Sequence, residues 1–397
     1  MQFPLKKLVS IFQLMKHLVL FLLSYCICYP ALSQETSAWQ YYKEIKLNTS
    51  PNGANVSGDV KDFPLAVTLT MQNFDFPQAK ANGADIRFSD GTTFLPHSIE
   101  WWDPVNKKAL VWVKVPVVKG NNATQVIYMH WGNEQAPDED HSKEIFAGKD
   151  GFVGVWHLNE PGNTLPEGYK DATDNAADAT GVNMKPWTAT DGIIGKAQQF
   201  NYEDQQWIKI DSDKRKLFDL TRKLTFSIWA KARSYANKGD EAKRIGPGYE
   251  TMFAKGDNSW RLQKFGPRYW HKPAAELIEI CVEQQPKGDL CVVGKTDMVT
   301  GKWFHLTGVH DYPYVKLYVN GVLDKVEKFD VEWKSDDHPV GIGNQSQFPD
   351  KGRFWDGLLD EARVLKVAKD ENWIKLDYES QREGSVLLRF GKTQKRH

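Results

Sequence analysis

Two antiparallel β-sandwiches in tandem, followed by a short C-terminal helix, make up the all-β fold class that the sequence predicts. Three observations point there. Trp, Tyr and Phe are abundant, and Gly and Pro are well represented between them. Apolar residues alternate with polar ones over short runs instead of recurring at helical spacing. A chain of 397 residues has room for two cores of ordinary size.

The first 33 residues read as an address. Lys6, Lys7 and Lys16 precede the apolar run 18–28, and Ala31-Leu32-Ser33 ends in a small residue. That pattern predicts a secretory signal over 1–33 and a secreted or periplasmic mature protein. The run is short for a membrane anchor. Lipidation at Cys26 would want a small residue where Tyr25 stands. No later segment is apolar enough to span a membrane.

The first sandwich is expected over 34–132. Its strands are 39–48, 63–69, 85–91, 98–102, 109–116 and 125–132, with Ser50-Pro51-Asn52-Gly53 as a turn. In the run 109–116, Leu110, Trp112 and Lys114 alternate with Val111, Val113 and Val115, so one face can be assigned to a core. The polar stretch 133–149 reads as a linker.

The second sandwich is expected over 150–397 and opens on the strand 150–160. There Val153, Val155, His157 and Asn159 point one way and Gly154, Trp156, Leu158 and Glu160 the other. Further strands are expected at 195–200, 207–210, 224–230, 251–255, 260–263, 302–311 and 315–321. A charged loop at 234–248 is longer than a sandwich connection needs, and long loops are often functional. Residues 369–381 have helical spacing, and 385–390 read as a closing strand that returns to the first sandwich. With the signal removed, Cys281 and Cys291 remain, flanking the turn-rich 285–289. A hairpin would bring them together, and an exported protein would oxidise them to a disulfide. Two buried free thiols are the alternative.

Several motifs carry a family resemblance. The runs GVWHLNE at 154–160, LTFSIWA at 224–230, VKLYVNG at 315–321 and FWDGLLDEARV at 354–364 resemble, in order, a concanavalin A-like (laminin-G-like) jelly roll. The runs IRFSDG, LVWVKVP and IYMHWGN of the first block are similar to the bacterial domain of unknown function 2341 family, which often precedes such a jelly roll. The resemblance implies two sandwiches and a ligand on the second. The jelly-roll family includes lectins, glycosidases and polysaccharide lyases, so fold alone does not choose among them.

Net charge is zero, with 51 basic and 51 acidic residues, and the basic residues are scattered. No footprint for nucleic acid is present. Walker, dinucleotide, nucleophile-elbow and HExxH motifs are absent, and so is the Glu-x-Asp-x-x-Glu strand of the family's glucanases.

Four constellations remain. Trp187, Trp207, Trp260, Tyr269, Trp270, Trp303, Trp333 and Trp355 offer rings on which sugar C–H faces pack. Trp207, Trp303 and Trp355 lie in apolar strands and read as core, whereas Trp270 sits among charges and prolines. A second group is Arg261, Arg268, Tyr269, His271 and Lys272. Elimination beside a sugar carboxylate needs a cation to stabilise the enolate and a base to take the proton, and this stretch supplies both. The competing reading is a solvated loop. His310 beside Asp311 is a third candidate pair, and His157 with Glu160 reads as ligand-binding or as a structural histidine. The fourth group, Asp171, Asp174 and Asp178, has the hardness that calcium prefers. Related sandwiches often hold a structural calcium, but Asp also favours turns.

The expectation is an exported protein that engages a polysaccharide or oligosaccharide, neutral or anionic, during glycan degradation, with no required cofactor. Its catalytic set would be His271, Tyr269, Arg261 and His310, acting as a lyase or dehydratase. Arg268, Trp270, Lys272 and His157 would bind ligand. Binding modules usually ride beside a catalytic domain for which these residues leave no room, which favours the enzyme. A non-catalytic lectin-like or surface-adhesion protein is the alternative.

Overall fold

The computed structural model describes residues 36–210, 212–234, 248–257, 259–264, 277–284, 288–330, 335–349 and 352–396. The expected signal over 1–33, and the candidates Arg268, Tyr269, Trp270, His271, Lys272 and Trp333, lie outside these residues.

Seven strands begin the chain: β1 (Tyr41–Leu47), β2 (Val60–Thr70), β3 (Arg87–Ser89), β4 (Phe94–Leu95), β5 (His97–Asp103), β6 (Lys108–Val118) and β7 (Gln125–Trp131). They form an antiparallel sheet in the order β1-β7-β3-β4 against a second in the order β2-β6-β5. Val111, Val113 and Val115 of β6 face the core between them, as their alternation requires. Yet Leu110, Trp112 and Lys114 on the other face are buried as well. The first sandwich is therefore covered on both sides of β6, and what covers its outer side is the second sandwich.

The following strands are β8 (Phe152–Trp156), β9 (Ala179–Val182), β10 (Ala189–Asp191), β11 (Lys196–Phe200), β12 (Trp207–Ile210), β13 (Lys223–Ala232), β14 (Glu250–Lys255) and β15 (Trp260–Lys264). After these come β16 (Leu277–Gln284), β17 (Gly288–Asp297), β18 (Phe304–Asp311), β19 (Tyr314–Val319), β20 (Val322–Lys328), β21 (Val340–Ile342) and β22 (Gly357–Leu365). One sheet runs β10-β11-β22-β13-β18-β19-β20, with β8 paired to β22, and the other runs β17-β16-β15-β14-β21-β12-β9. Phe226, Ile228, Trp260, Leu262, Leu306, Ile342 and Leu359 pack between them. Arg261 and Gln263 alternate with Trp260 and Leu262 and so lie on the outer face of the seven-stranded sheet.

The helix α1 (Glu371–Gln381) starts where the spacing predicts. Asp370 caps it by accepting a hydrogen bond from the Trp373 N–H. Its buried side packs on the first sandwich, where Trp373 meets Phe63 edge-on at 6.0 Å. The chain then returns as predicted: β23 (Leu388–Phe390) and β24 (Gln394–Lys395) both pair with β1.

The stretch 133–149 is more than a tether. It carries a helical turn, Ser142–Ile145, and buries Ile145 and Phe146 in the core shared by both sandwiches. No helix among the described residues is long and apolar enough to cross a membrane.

Candidate functional site

Two β-bulges face each other where the sandwiches meet. In β5, Ile99 pairs with Val111 but Trp101 pairs with Leu110, so Glu100 is an extra residue with no partner on β6. In β22, the register against β13 slips between Arg363 and Asp360, and Glu361 takes a left-handed φ of 51°. Non-glycine residues adopt that conformation only when surroundings impose it. The bulges aim the carboxylates of Glu100 and Glu361 at one point, and His157 stands between them. β8 ends at Trp156, and Leu158 turns with a φ of 60°, which leaves the imidazole facing the first sandwich.

His157 Nδ1 lies 2.8 Å from Glu361 Oε1 and 3.2 Å from Glu100 Oε2. The Trp112 indole stacks on His157 at 5.7 Å and donates to Glu100 Oε2 at 2.6 Å. Glu361 Oε2 accepts from Arg363, whose other arm reaches Asp377 of α1 at 2.8 Å. His305 Nε2 stands 3.4 Å from the second Asp377 oxygen. The guanidinium also lies over the Trp112 ring, 4.6 Å from its centroid. The chain of groups thus crosses from β5 through the start of the jelly roll to α1.

Protonation closes its charge. Burial pushes the Glu100 carboxyl up, against the pull of His157 and with the push of Glu361, to about 8. Burial, Glu361 and Glu100 together hold Asp360 well above the usual carboxylate range. Burial opposes the charge on His157, but Glu361 and Glu100 overcome it and raise it to about 9. Burial likewise opposes charge on Glu361, which His157 and Arg363 keep ionised. At neutral pH the cations His157 and Arg363 therefore balance the anions Glu361 and Asp377, while Glu100 and Asp360 are neutral. Glu100 Oε1 and Asp360 Oδ1 lack hydrogen-bond partners among the described residues, and an unpaired neutral carboxyl is far cheaper to bury than a charged one.

Glu100, His157 and Glu361 also place one donor atom each within 4.8 Å of one another, as metal ligands do. The fit is poor. Glu361 Oε1 is engaged by His157 and Oε2 by Arg363, whose positive charge already serves that carboxylate. The arrangement is a charge-balanced joint.

The remaining candidates separate. Arg261 is buried on the outer face of the seven-stranded sheet, donates to the Asp257 carbonyl and lies 3.5 Å from the Asp257 carboxylate, which also binds Arg353. His310 belongs to the other sheet and pairs with Leu224 and Val315, on the side that faces the apolar core. Burial pushes its imidazole down to about 3. Arg261 and His310 therefore do not share a site, and His310 is a neutral core histidine.

Asp171 uses both oxygens on the backbone N–H groups of Val155, Thr173 and Ala177. Asp178 accepts from the Asp171 N–H and from Lys170, and Asp174 is exposed. This is turn chemistry, and it leaves no convergent set of oxygens for calcium. Among the tryptophans, Trp355 and Trp260 are core, and Trp187 is exposed. Trp303 is half-exposed, contrary to the core placement its strand suggested. Trp207 is covered but lies on the outer face, because Ile208 and Ile210 take the core side. Glu100 was not legible as a site residue: in IEWW it reads as an ordinary strand glutamate, and only the bulge moves it.

Residues 203–375 match the concanavalin A-like lectin/glucanases superfamily, and residues 82–159 match the domain of unknown function 2341. The second match runs on through β8 and includes both Glu100 and His157. Among curated proteins none matches. Several solved structures are similar. Domain 4 of AbnA, an extracellular arabinanase from Geobacillus stearothermophilus, in complex with arabinotriose, is 20% identical over 57% of this chain and 98% of that one, with a TM-score of 0.40. The binding domain of Paraclostridial Mosquitocidal Protein 1 is 14% identical over 58% and 52%, with a TM-score of 0.44. The binding domain of Botulinum Neurotoxin DC in complex with SialylT is 12% identical over 60% and 53%, with a TM-score of 0.42. The chain spans about half the length of those two toxin chains.

Proposed function

We propose that this is an exported carbohydrate-binding protein that holds its ligand on the outer face of the seven-stranded sheet without chemical turnover. The observation that carries this reading is the composition of that face. The Trp207 ring lies over Gly341, where an added Cβ would stand 3.3 Å from it. Thr251, Arg261, Gln263 and Lys264 are polar side chains on or beside the same face, each 3% exposed or less, and the partly exposed Arg353, which joins them through Asp257, is the group that solvent reaches. Trp207 is covered, so the Arg353–Asp257 pair at the edge of this face, with fixed groups of both charges, is what would meet a sugar's hydroxyls.

Elimination is the weaker reading. Of its four groups, His310 is neutral, buried and on the other sheet, and Arg261 is held in an ion pair.

The test is calorimetric titration of the mature protein with neutral and acidic oligosaccharides, with absorbance and mass followed in parallel. Binding without a mass change, weakened about tenfold or more by Arg353→Ala, is expected. A new unsaturated-uronate absorbance or loss of water would replace this reading with an eliminating enzyme. No binding across the panel would overturn both.

A further inference from the structure

The outer face of the three-stranded sheet is only half covered. Ala66, Thr68 and Thr70 of β2 lie opposite Trp112, Leu110 and Lys108 of β6, and Trp101 follows on β5 beside Leu110. The Ala66–Trp112 end is pressed against the second sandwich. The Thr70–Lys108 end opens into a cleft of about 560 Å³ between the two, within the size range of small-ligand sites. The bulge at Glu100 makes this division: Glu100 goes into the buried joint, and Trp101 stays on the cleft side.

Opposite walls come from the second sandwich. They are the turn 192–195 between β10 and β11, Trp303, and the C-terminal end of α1 with Arg382. The turn must stay close to the joint, because Asp360 accepts its Ile193 N–H at 2.9 Å and a Cβ on Gly192 would stand 2.3 Å from Asp360 Oδ2. Trp101 and Trp303 are both half-buried. Lysine ammonium groups lie near each ring, Lys196 at 5.6 Å from Trp101 and Lys231 at 6.0 Å from Trp303. The charged groups of the lining are Lys108 and Arg382 against Asp191, Glu379 and Glu383, with Arg382 paired to Glu379 at 2.8 Å, and Thr68 is exposed beside them.

We infer that this cleft is a second carbohydrate site, built jointly by both sandwiches, that takes a neutral oligosaccharide. The inference rests on the carbohydrate-binding reading above, but its location and residues are distinct. Two half-buried indoles supply apolar faces, and the hydroxyl, amide and paired charges around them supply directional bonds without favouring an anion. A fatty chain would leave those polar groups unsatisfied, and an acidic sugar would meet more carboxylates than cations in the lining.

The full mature chain is titrated with cellotetraose, xylotetraose, arabinotriose and trigalacturonate, following calorimetric stoichiometry and tryptophan fluorescence. Two sites per chain are expected for at least one neutral ligand. Trp303→Ala and the cleft-filling Thr68→Trp should each remove one of them, or weaken it at least tenfold, while leaving the site that responds to Arg353→Ala. Thr68 is exposed, so its variant keeps the test alive if Trp303→Ala fails to fold. If both cleft variants leave every titration unchanged while Arg353→Ala weakens binding, the cleft inference is wrong and the outer-face reading stands. If trigalacturonate alone binds in the cleft, the neutral class is wrong. If no oligosaccharide binds, both readings fall.

Discussion

Glu100 is a carboxyl that the folded chain keeps protonated. Its folded pKa is raised to about 8, against about 4.3 when unfolded. The folded state therefore binds that proton more tightly, and stability falls as pH rises between these values. His157, raised to about 9, gives stability that is full below about 6.5 and lost as pH passes 9. Both slopes run downward toward alkali. Thermal midpoints measured from pH 5 to 10 should fall above neutrality. Glu100→Gln keeps the shape and the acceptor for Trp112 but removes the titration. It should flatten the profile and be more stable than the parent by roughly 1–3 kcal/mol near pH 9. A Glu100→Gln profile parallel to the parent's would refute the assignment. Asp171→Asn should cost about 1–3 kcal/mol through its lost backbone acceptors. Adding calcium or a chelator should leave the parent's midpoint unchanged, and a calcium-dependent rise would restore the metal reading of that loop.

Elements carry the next set of expectations. The β16–β17 hairpin places Cys281 directly opposite Cys291 in its backbone register. A disulfide there should appear as a two-dalton mass difference on reduction in protein made through an exporting pathway, with a loss of about 2 kcal/mol when reduced. Free thiols in that preparation would contradict it. The Asp370 cap of α1 should be worth about 1 kcal/mol, read from the denaturation midpoint of Asp370→Ala. The helix, most strands and the return of β23 were legible because each is a local pattern: spacing, alternation or a cap residue. The ends were less so. The closing strand expected at 385–390 is shorter, at Leu388–Phe390, and the alternation expected through residue 160 stops when Leu158 takes a positive φ. Neither bulge could be read from alternation, because a bulge is the insertion that breaks it.

At the scale of the molecule, the two sandwiches share a core. Phe146, Val155, Leu365, Trp373 and Leu387 cluster with Leu65, Val111 and Trp112. β23 and β24 tie the C-terminus back to β1, and the ion-pair chain crosses the same junction. The chain should therefore unfold in a single calorimetric transition, and removal of residues 388–397 should lower its midpoint by several degrees. Two resolved transitions, with the first sandwich melting unchanged by the truncation, would show the halves to be independent.

Alternation and composition by themselves determined that the chain is all-β and divides into two sandwiches, because burying one face of a strand leaves a period-two trace, and helical spacing placed one helix near the C-terminus. The motifs identified the second sandwich as a concanavalin A-like fold. Tertiary structure alone decided which polar residues meet. It sent His310 into the core, engaged Asp171 with its own turn, left Trp303 beside a cleft and brought Glu100 against His157 and Glu361. Those outcomes depend on register, bulges and the docking of one sheet face on another, over separations of up to 261 residues between Glu100 and Glu361, and no short window of sequence records them.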